Sequence, residues 1–344
     1  MRVWLVAPLA AAIGAGCGSA SADPAMQISG PHVHENLALY FVHGTSAAGP
    51  VPLTLQEALT QGAVQVVETG RVNELEIENS GSEPVFIQSG DIVKGGKQDR
   101  VLTTSLLLAP HSGRVGIASF CVERGRWSAR GSEDQARFAS AREAMPSISA
   151  LLAMALPPAQ PPSPAPHATP DDVAGKQRQV WEEVAITQNK LAKGLNASVA
   201  APESGSSLQL ALENAKLREA REAYRKELQG TGEKDGDIVG YIVAINGQMR
   251  AGNVYPSNAL FRKMWDKQLA AAVTAAIGDK GTTPAAAPAS PAAADFLAAA
   301  EKGKPYQRAL PAGLRQETRD AANALYNEAR DADGNVIHRS YLAK

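Results

Sequence analysis

Cysteine is nearly missing from this chain of 344 residues: Cys17 and Cys121 are the only two. That excludes a disulfide-stapled scaffold and any four-cysteine zinc site. An excess of one charge is missing too. Lys and Arg number 34 against 35 Asp and Glu, so the formal net charge is -1, which argues against a nucleic-acid-binding surface. A membrane span takes ~20 apolar residues, and the longest apolar stretch, Val3 to Ile13, is shorter. No G-x-S-x-G, H-E-x-x-H or dinucleotide fingerprint occurs, so no cofactor and no particular reaction is expected. What is present is a core: 44% of residues are apolar and 20% charged, the balance of a folded chain.

Arg2, the apolar run after it and Ala20-Ser21-Ala22 read as a signal peptide over 1–22, cleaved before Asp23. A competing reading takes Gly14-Ala15-Gly16-Cys17 as a lipobox, with a lipid anchor on Cys17. Both place the protein outside the cytoplasm, in the periplasm or beyond. Either cleavage leaves at most Cys121 as a thiol, so no intrachain disulfide forms.

Two Pro/Ala-rich stretches, at 151–172 and 282–294, read as linkers, because Pro cannot hold a helix or a ladder. They bound a β-rich lobe at 23–150, a helical and hairpin segment at 173–281, and a C-terminal helix and hairpin at 295–344. In the first, Leu37–Val42, Val64–Glu68, Pro84–Gln88, Val101–Leu108 and Val115–Val122 read as strands, and Thr54–Gln61 as a short helix. Asn73–Asn79 alternates, with Leu75 and Ile77 on one face and three glutamates on the other. The pattern suggests a sandwich or barrel-like lobe. Beyond the first linker, Val180, Val184, Leu191 and Leu195 recur at helical spacing. A second helix, capped by Ser206-x-x-Gln209, carries Leu210, Leu217, Tyr224 and Leu228, and the two are expected to pair as a hairpin. Asn246-Gly247 marks a tight turn between two strands, and Ser257 caps a helix closed by Gly278. The fold class is therefore α+β, with a small antiparallel sheet and a packed helix in the second lobe.

The densest polar cluster runs from Gly90 to Arg100. Gly95 and Gly96 permit positive φ, and successive amides there could form an anion-binding nest. Lys94, Lys97, Gln98, Asp99 and Arg100 would surround a small anionic ligand, with Arg100 binding it bidentately. The competing reading is a bulged hairpin turn with solvated charges. A second cluster holds Cys121, Glu123, Arg126 and Trp127. Cys121 reads first as an inert core thiol, or as a nucleophile if nearby cations depress its pKa. Asp91, Asp99 or Glu123 would be the general base if the chain is a hydrolase or transferase for an anionic envelope or nucleotide-derived substrate. His32 and His34 share one side of an extended segment but find no further ligand cluster, so no metal is expected.

Val72–Asn79, Pro84–Arg100 and Ser119–Trp127, with Ile238–Gly247 and the helix start at Ser257–Trp265, resemble an uncharacterised bacterial family, the ARG and rhodanese-phosphatase superfamily-associated protein domain. The label records genomic company, so the resemblance implies no reaction and carries no catalytic residue. The function expected is a binding or scaffold module of the envelope, contacting a small anion or an envelope protein, with hydrolase or transferase as the alternative.

Overall fold

The structure is a computed structural model that describes residues 26–128, 137–155, 170–281 and 285–344. The signal-peptide and Cys17 readings, and residues 156–169 of the first Pro-rich stretch, lie outside them; the ends of that stretch, 151–155 and 170–172, are helical rather than linker. In chain order the elements are β1 (Gln27–His34), β2 (Leu37–His43), β3 (Leu53–Thr54), α1 (Leu55–Thr60), β4 (Val64–Glu68), β5 (Glu74–Asn79), β6 (Val85–Ile87), β7 (Asp91–Gly95), β8 (Arg100–Leu102), β9 (Leu106–Leu108), β10 (Gly113–Cys121) and β11 (Phe138–Ala144). Then come α2 (Ile148–Ala155), α3 (Pro170–Gly194), α4 (Leu208–Leu212), α5 (Ala215–Leu228), β12 (Ile238–Ile245), β13 (Gln248–Val254), α6 (Asn258–Gly278), α7 (Ser290–Glu301), β14 (Lys304–Ala309), β15 (Arg315–Asp320), β16 (Ala324–Arg330) and β17 (Val336–Ala343). The fold is α+β.

Three sheets form. An eight-stranded sheet runs β1-β2-β12-β13-β17-β16-β15-β14, a six-stranded one β11-β7-β8-β10-β5-β4, and a three-stranded one β3-β6-β9. β2 pairs along β12, with Tyr40 opposite Ile242 and Leu39 opposite Val243. Two strands of the 23–150 segment thus belong to the sheet of the C-terminal half. β12 is buried along its whole length, because both faces of the sheet are covered. Period-2 alternation sends Tyr241, Val243 and Ile245 to the main core under α6 and Ile242 and Ala244 to a second cluster with Ala293 and Leu297 of α7. In the main core Trp265 of α6 lies edge-on to Phe41 and Tyr241 at ring separations of 5.4 and 5.6 Å. Burial of such a side chain is worth roughly 3–5 kcal/mol against truncation to Ala.

Local signals place several boundaries. Thr54 caps α1 in a capping box with Glu57, Asn246 and Gly247 turn β12 into β13 with positive φ, and Ser257 accepts from Leu260 N at the start of α6. Others differ. The capping serine near residue 206 is Ser207, which accepts from Leu210 N, and the helix it starts stops after five residues. Asn214 then caps α5 anew. α3 and α5 pack chiefly on α6 rather than on one another. Val101–Leu108 is not one strand: β8 and β9 belong to different sheets, separated by Thr103–Ser105. The end of the 282–294 stretch is helical, since α7 begins at Ser290 with Pro291 in its first turn, where its missing N–H costs nothing.

Candidate functional site

The glycine turn connects β7 to β8, where Val93 pairs with Arg100. Gly95 and Gly96 have φ of 125° and 57°. A Cβ on Gly95 would stand 2.4 Å from the Arg137 carbonyl oxygen, and one on Gly96 2.2 Å from Phe138 Cζ. The glycines are therefore required by backbone conformation and by the approach of β11. Two amides of the turn are taken: Gly95 N donates to Asp99 Oδ1 at 3.0 Å and Lys97 N to Glu68 Oε1 at 3.0 Å. The anions that fill the nest are the chain's own carboxylates.

The cations are also engaged. Arg100 is fully buried, 3.6 Å from Glu68 Oε2, with Nη1 on the carbonyl and side chain of Gln98. Arg126 binds Glu123 at 2.5 Å and Asp99 at 3.4 Å. Lys94 binds Glu213 at 2.8 Å. Lys97 and Arg100 both lie over the ring of Trp127, at 5.2 and 5.6 Å. Gln98 Nε2 donates to the Glu123 carbonyl, and Ser207 Oγ to Asp99. The structure thus brings together Gln98, Asp99, Arg100, Glu123 and Arg126 in a buried network, adds Glu68 and Ser207 to it, and lays the exposed Trp127 over its edge. Asp99 and Glu123 are fully inaccessible, so neither meets a substrate as a general base in this conformation.

Two further candidates lie elsewhere. Asp91 forms a buried ion pair with Lys267 of α6 at 2.7 Å and accepts the Gln88 amide at 2.9 Å. Cys121 is fully buried, its backbone held by both ends of the Gln177 amide. Burial pushes its thiol up to about 11, against a weaker opposing pull from Arg100, which is the environment of an inert core cysteine. Among the described residues no group of three or more His, Cys, Asp or Glu is arranged to hold a metal.

A different site has the features of a binding pocket. A cavity of about 70 Å³, room for roughly five waters, lies between α6, α2 and the β12–β13–β17 face. One polar stripe crosses its apolar lining. Tyr255 Oη donates to Gln88 Oε1 at 2.8 Å, and Gln88 Nε2 to Asn253 Oδ1 at 3.4 Å. Asn253 Nδ2 then donates to Tyr241 Oη at 2.7 Å, and Tyr241 Oη to Gln268 Oε1 at 2.9 Å. Burial holds both phenols above the ordinary tyrosine value, against a weaker opposing pull from their hydrogen bonds to Asn253 and Gln88. The chain ends at Gln268 Nε2, which is buried without a partner, as is Arg250 Nε at the same cavity. A smaller polar void adjoins, sharing Ser89, Asn327 and Ser340, where Ser105 Oγ lies 3.0 Å from His338 Nδ1. Burial holds His338 down at about 3, so its ring is neutral.

None of these crevice residues stood out in the sequence. One signal was available: Gln268 follows Phe261 by seven residues and so shares the inward face of α6 with it. Two wider surface clefts exist, one around Glu328, Arg330 and Arg339 and one around Glu57 and Lys263. The named charges are paired within the chain.

The model of one family, the ARG and Rhodanese-Phosphatase-superfamily-associated Protein domain (ARPP-1), matches residues 25–342. The chain belongs to the ARPP-1 domain family. Comparison with curated proteins and with solved structures returned no match. The family match spans all three sheets, so the ARPP-1 domain here includes both the glycine turn and the crevice. No described helix of this ARPP-1 chain is long and apolar enough to cross a membrane.

Proposed function

We propose that this ARPP-1 chain is an exported binding module of the cell envelope, and that its ligand occupies the crevice between α2, α6 and the β12–β13–β17 face. The observation that carries this reading is the directed hydrogen-bond chain from Tyr255 to Gln268, which ends in a buried amide N–H without a partner. Such a donor costs about 1–3 kcal/mol unless something accepts from it. A ligand oxygen in the cavity relieves that cost. At the glycine turn the Gly95 and Lys97 amides are taken by the chain's own carboxylates, and the unpartnered Nε and Nη2 of Arg100 are sealed in a side chain with no exposure that lines none of the cavities described above, so its role here is to lock β7, β8 and β10 together. Export rests on the N-terminal sequence alone.

The test is a thermal-shift screen with molecules of the cavity's size: short-chain carboxylates, alcohols, amines and small amino acids. It is run on the wild type and on Ala272→Phe, which fills the crevice from α6. A ligand at ~100 times its dissociation constant stabilises by roughly 2.7 kcal/mol. A shift that disappears in Ala272→Phe supports the reading. Shifts that all survive that substitution place binding elsewhere and refute it.

A further inference from the structure

The crevice presents hydrogen-bond donors while its amide acceptors are taken. Gln88 Oε1 accepts from Tyr255, Asn253 Oδ1 from Gln88 and Gln268 Oε1 from Tyr241. Asn327 Oδ1 accepts from both Gln316 and Thr318. Against these stand two buried donors with no partner, Gln268 Nε2 and Arg250 Nε. Arg250 is fixed at its far end, where Nη2 meets Asp279 Oδ2 at 3.0 Å; that carboxylate also holds Lys190 at 3.0 Å. The guanidinium is therefore held in place with its Nε left over. Apart from Ser89 and Ser340 the rest of the wall is largely apolar: Met145, Ile148 and Leu151 on the α2 side, and Val243, Ala271 and Ala272 on the other.

Donors, one fixed positive charge and an apolar wall define a ligand with an anionic oxygen acceptor and a short hydrocarbon body. Charge-assisted hydrogen bonds are roughly twice as strong as neutral ones, which favours an anion over a neutral carbonyl. A cavity of about 70 Å³ takes a body of roughly five non-hydrogen atoms, one for each water it would hold. We propose that the crevice binds a small carboxylate with an apolar tail. Its carboxylate accepts from Arg250 Nε and Gln268 Nε2, and its tail lies against α2. This assignment rests on the crevice being the ligand site.

Three probes of equal length test it: propionate, 1-propanol and propylamine, titrated calorimetrically into the purified chain. Propionate is expected to bind, propanol at least roughly tenfold more weakly, and propylamine not at all. Gln268→Glu keeps the acceptor for Tyr241 but replaces the donor by a carboxylate. Arg250→Gln removes the charge at a partly exposed position, so it guards against loss of fold in the first variant. Each should weaken propionate roughly 10- to 100-fold. Propanol binding as tightly as propionate overturns the carboxylate assignment and leaves the crevice reading standing. So does an Arg250→Gln protein with wild-type propionate affinity. Preferred binding of propylamine overturns it too, since the hydrogen-bond chain would then run in reverse and offer a carbonyl. Propionate binding that survives Ala272→Phe lies outside the crevice and overturns both readings.

Discussion

Lys267→Met removes one half of the ion pair that joins α6 to β7. The pair is nearly inaccessible, with side-chain exposures of 7% for Lys267 and 2% for Asp91 at a separation of 2.7 Å. Methionine retains the aliphatic stem, so packing changes little. What remains is a buried carboxylate whose Oδ2 still accepts from Gln88 N while Oδ1 has lost its cation. Breaking a buried pair this way costs about 3–5 kcal/mol. With a guanidinium slope near 4 kcal/mol/M, the unfolding midpoint falls by about 1 M. Tryptophan fluorescence and far-UV circular dichroism followed together report that midpoint and check that the transition stays two-state. Asp91→Asn combined with Lys267→Met removes the stranded charge as well, keeps an acceptor for Gln88 N, and should recover at least ~1 kcal/mol of the loss. A loss below ~1 kcal/mol in the single variant, the range of a solvated pair, refutes the reasoning. So does a double variant less stable than the single one.

Cys121, buried and with its thiol pushed up to about 11, should react with a thiol reagent only as the native chain opens; labelling at the rate of a free thiol would contradict its burial. Gly95→Ala places a Cβ against the Arg137 carbonyl at positive φ, whereas Gly113→Ala has positive φ and open space around it. The first should therefore cost clearly more than the ~1–2 kcal/mol of left-handed backbone that both share, and equal melting losses would discount the contact. His338 has its folded value depressed from 6.5 to about 3, so the unfolded chain takes up the proton first as pH falls. Its contribution is complete above about pH 6.5 and is lost progressively towards pH 3, on the order of a few kcal/mol. His338→Gln should flatten the acid limb of the stability profile, and an unchanged limb would show that the ring is not held neutral by burial.

What the sequence made legible was local. The alternation in Glu74–Asn79 buries Leu75 and Ile77, and the Asn246-Gly247 turn, the Thr54–Gln61 helix and the Ser257 cap each depend on residues within a few positions. The misreadings depend on partners far along the chain. Val101–Leu108 is a uniform apolar run broken only by Thr103, Thr104 and Ser105. Nothing local says that β8 joins β10 while β9 turns to β6. β2 finds β12 across about two hundred residues, a pairing that no period reveals. The charges at 94–100 looked available for a ligand because their partners, Glu68 and Glu213, are distant in sequence. The crevice residues were hidden for the opposite reason: Tyr241, Asn253 and Gln268 are single polar residues inside otherwise apolar elements, where pattern reading treats them as exceptions.

The contrast between the two places carries the functional argument. At the glycine turn the Gly95 and Lys97 amides and the cationic groups of Lys94, Arg100 and Arg126 each meet an anion or carbonyl supplied by the chain, and the Nε and Nη2 of Arg100, which lack a hydrogen-bond partner, are sealed beside Glu68 in a side chain with no exposure. A ligand there would have to displace Asp99 or Glu68 and break the β7–β8–β10 connection with it. In the crevice the direction of the hydrogen bonds is set by the sequence of donors and acceptors, and it runs out one partner short at Gln268. A leucine or methionine at 268 would remove the stranded N–H but would leave the Tyr241 hydroxyl without its acceptor, so the glutamine oxygen serves Tyr241 and the glutamine N–H is what is left over. Retaining a glutamine in the inward stripe of α6, beside an arginine whose Nε is also unspent, makes sense when a third party supplies the missing acceptor. Seating one should then quieten α2 and the crevice amides to hydrogen exchange while leaving the glycine turn unchanged.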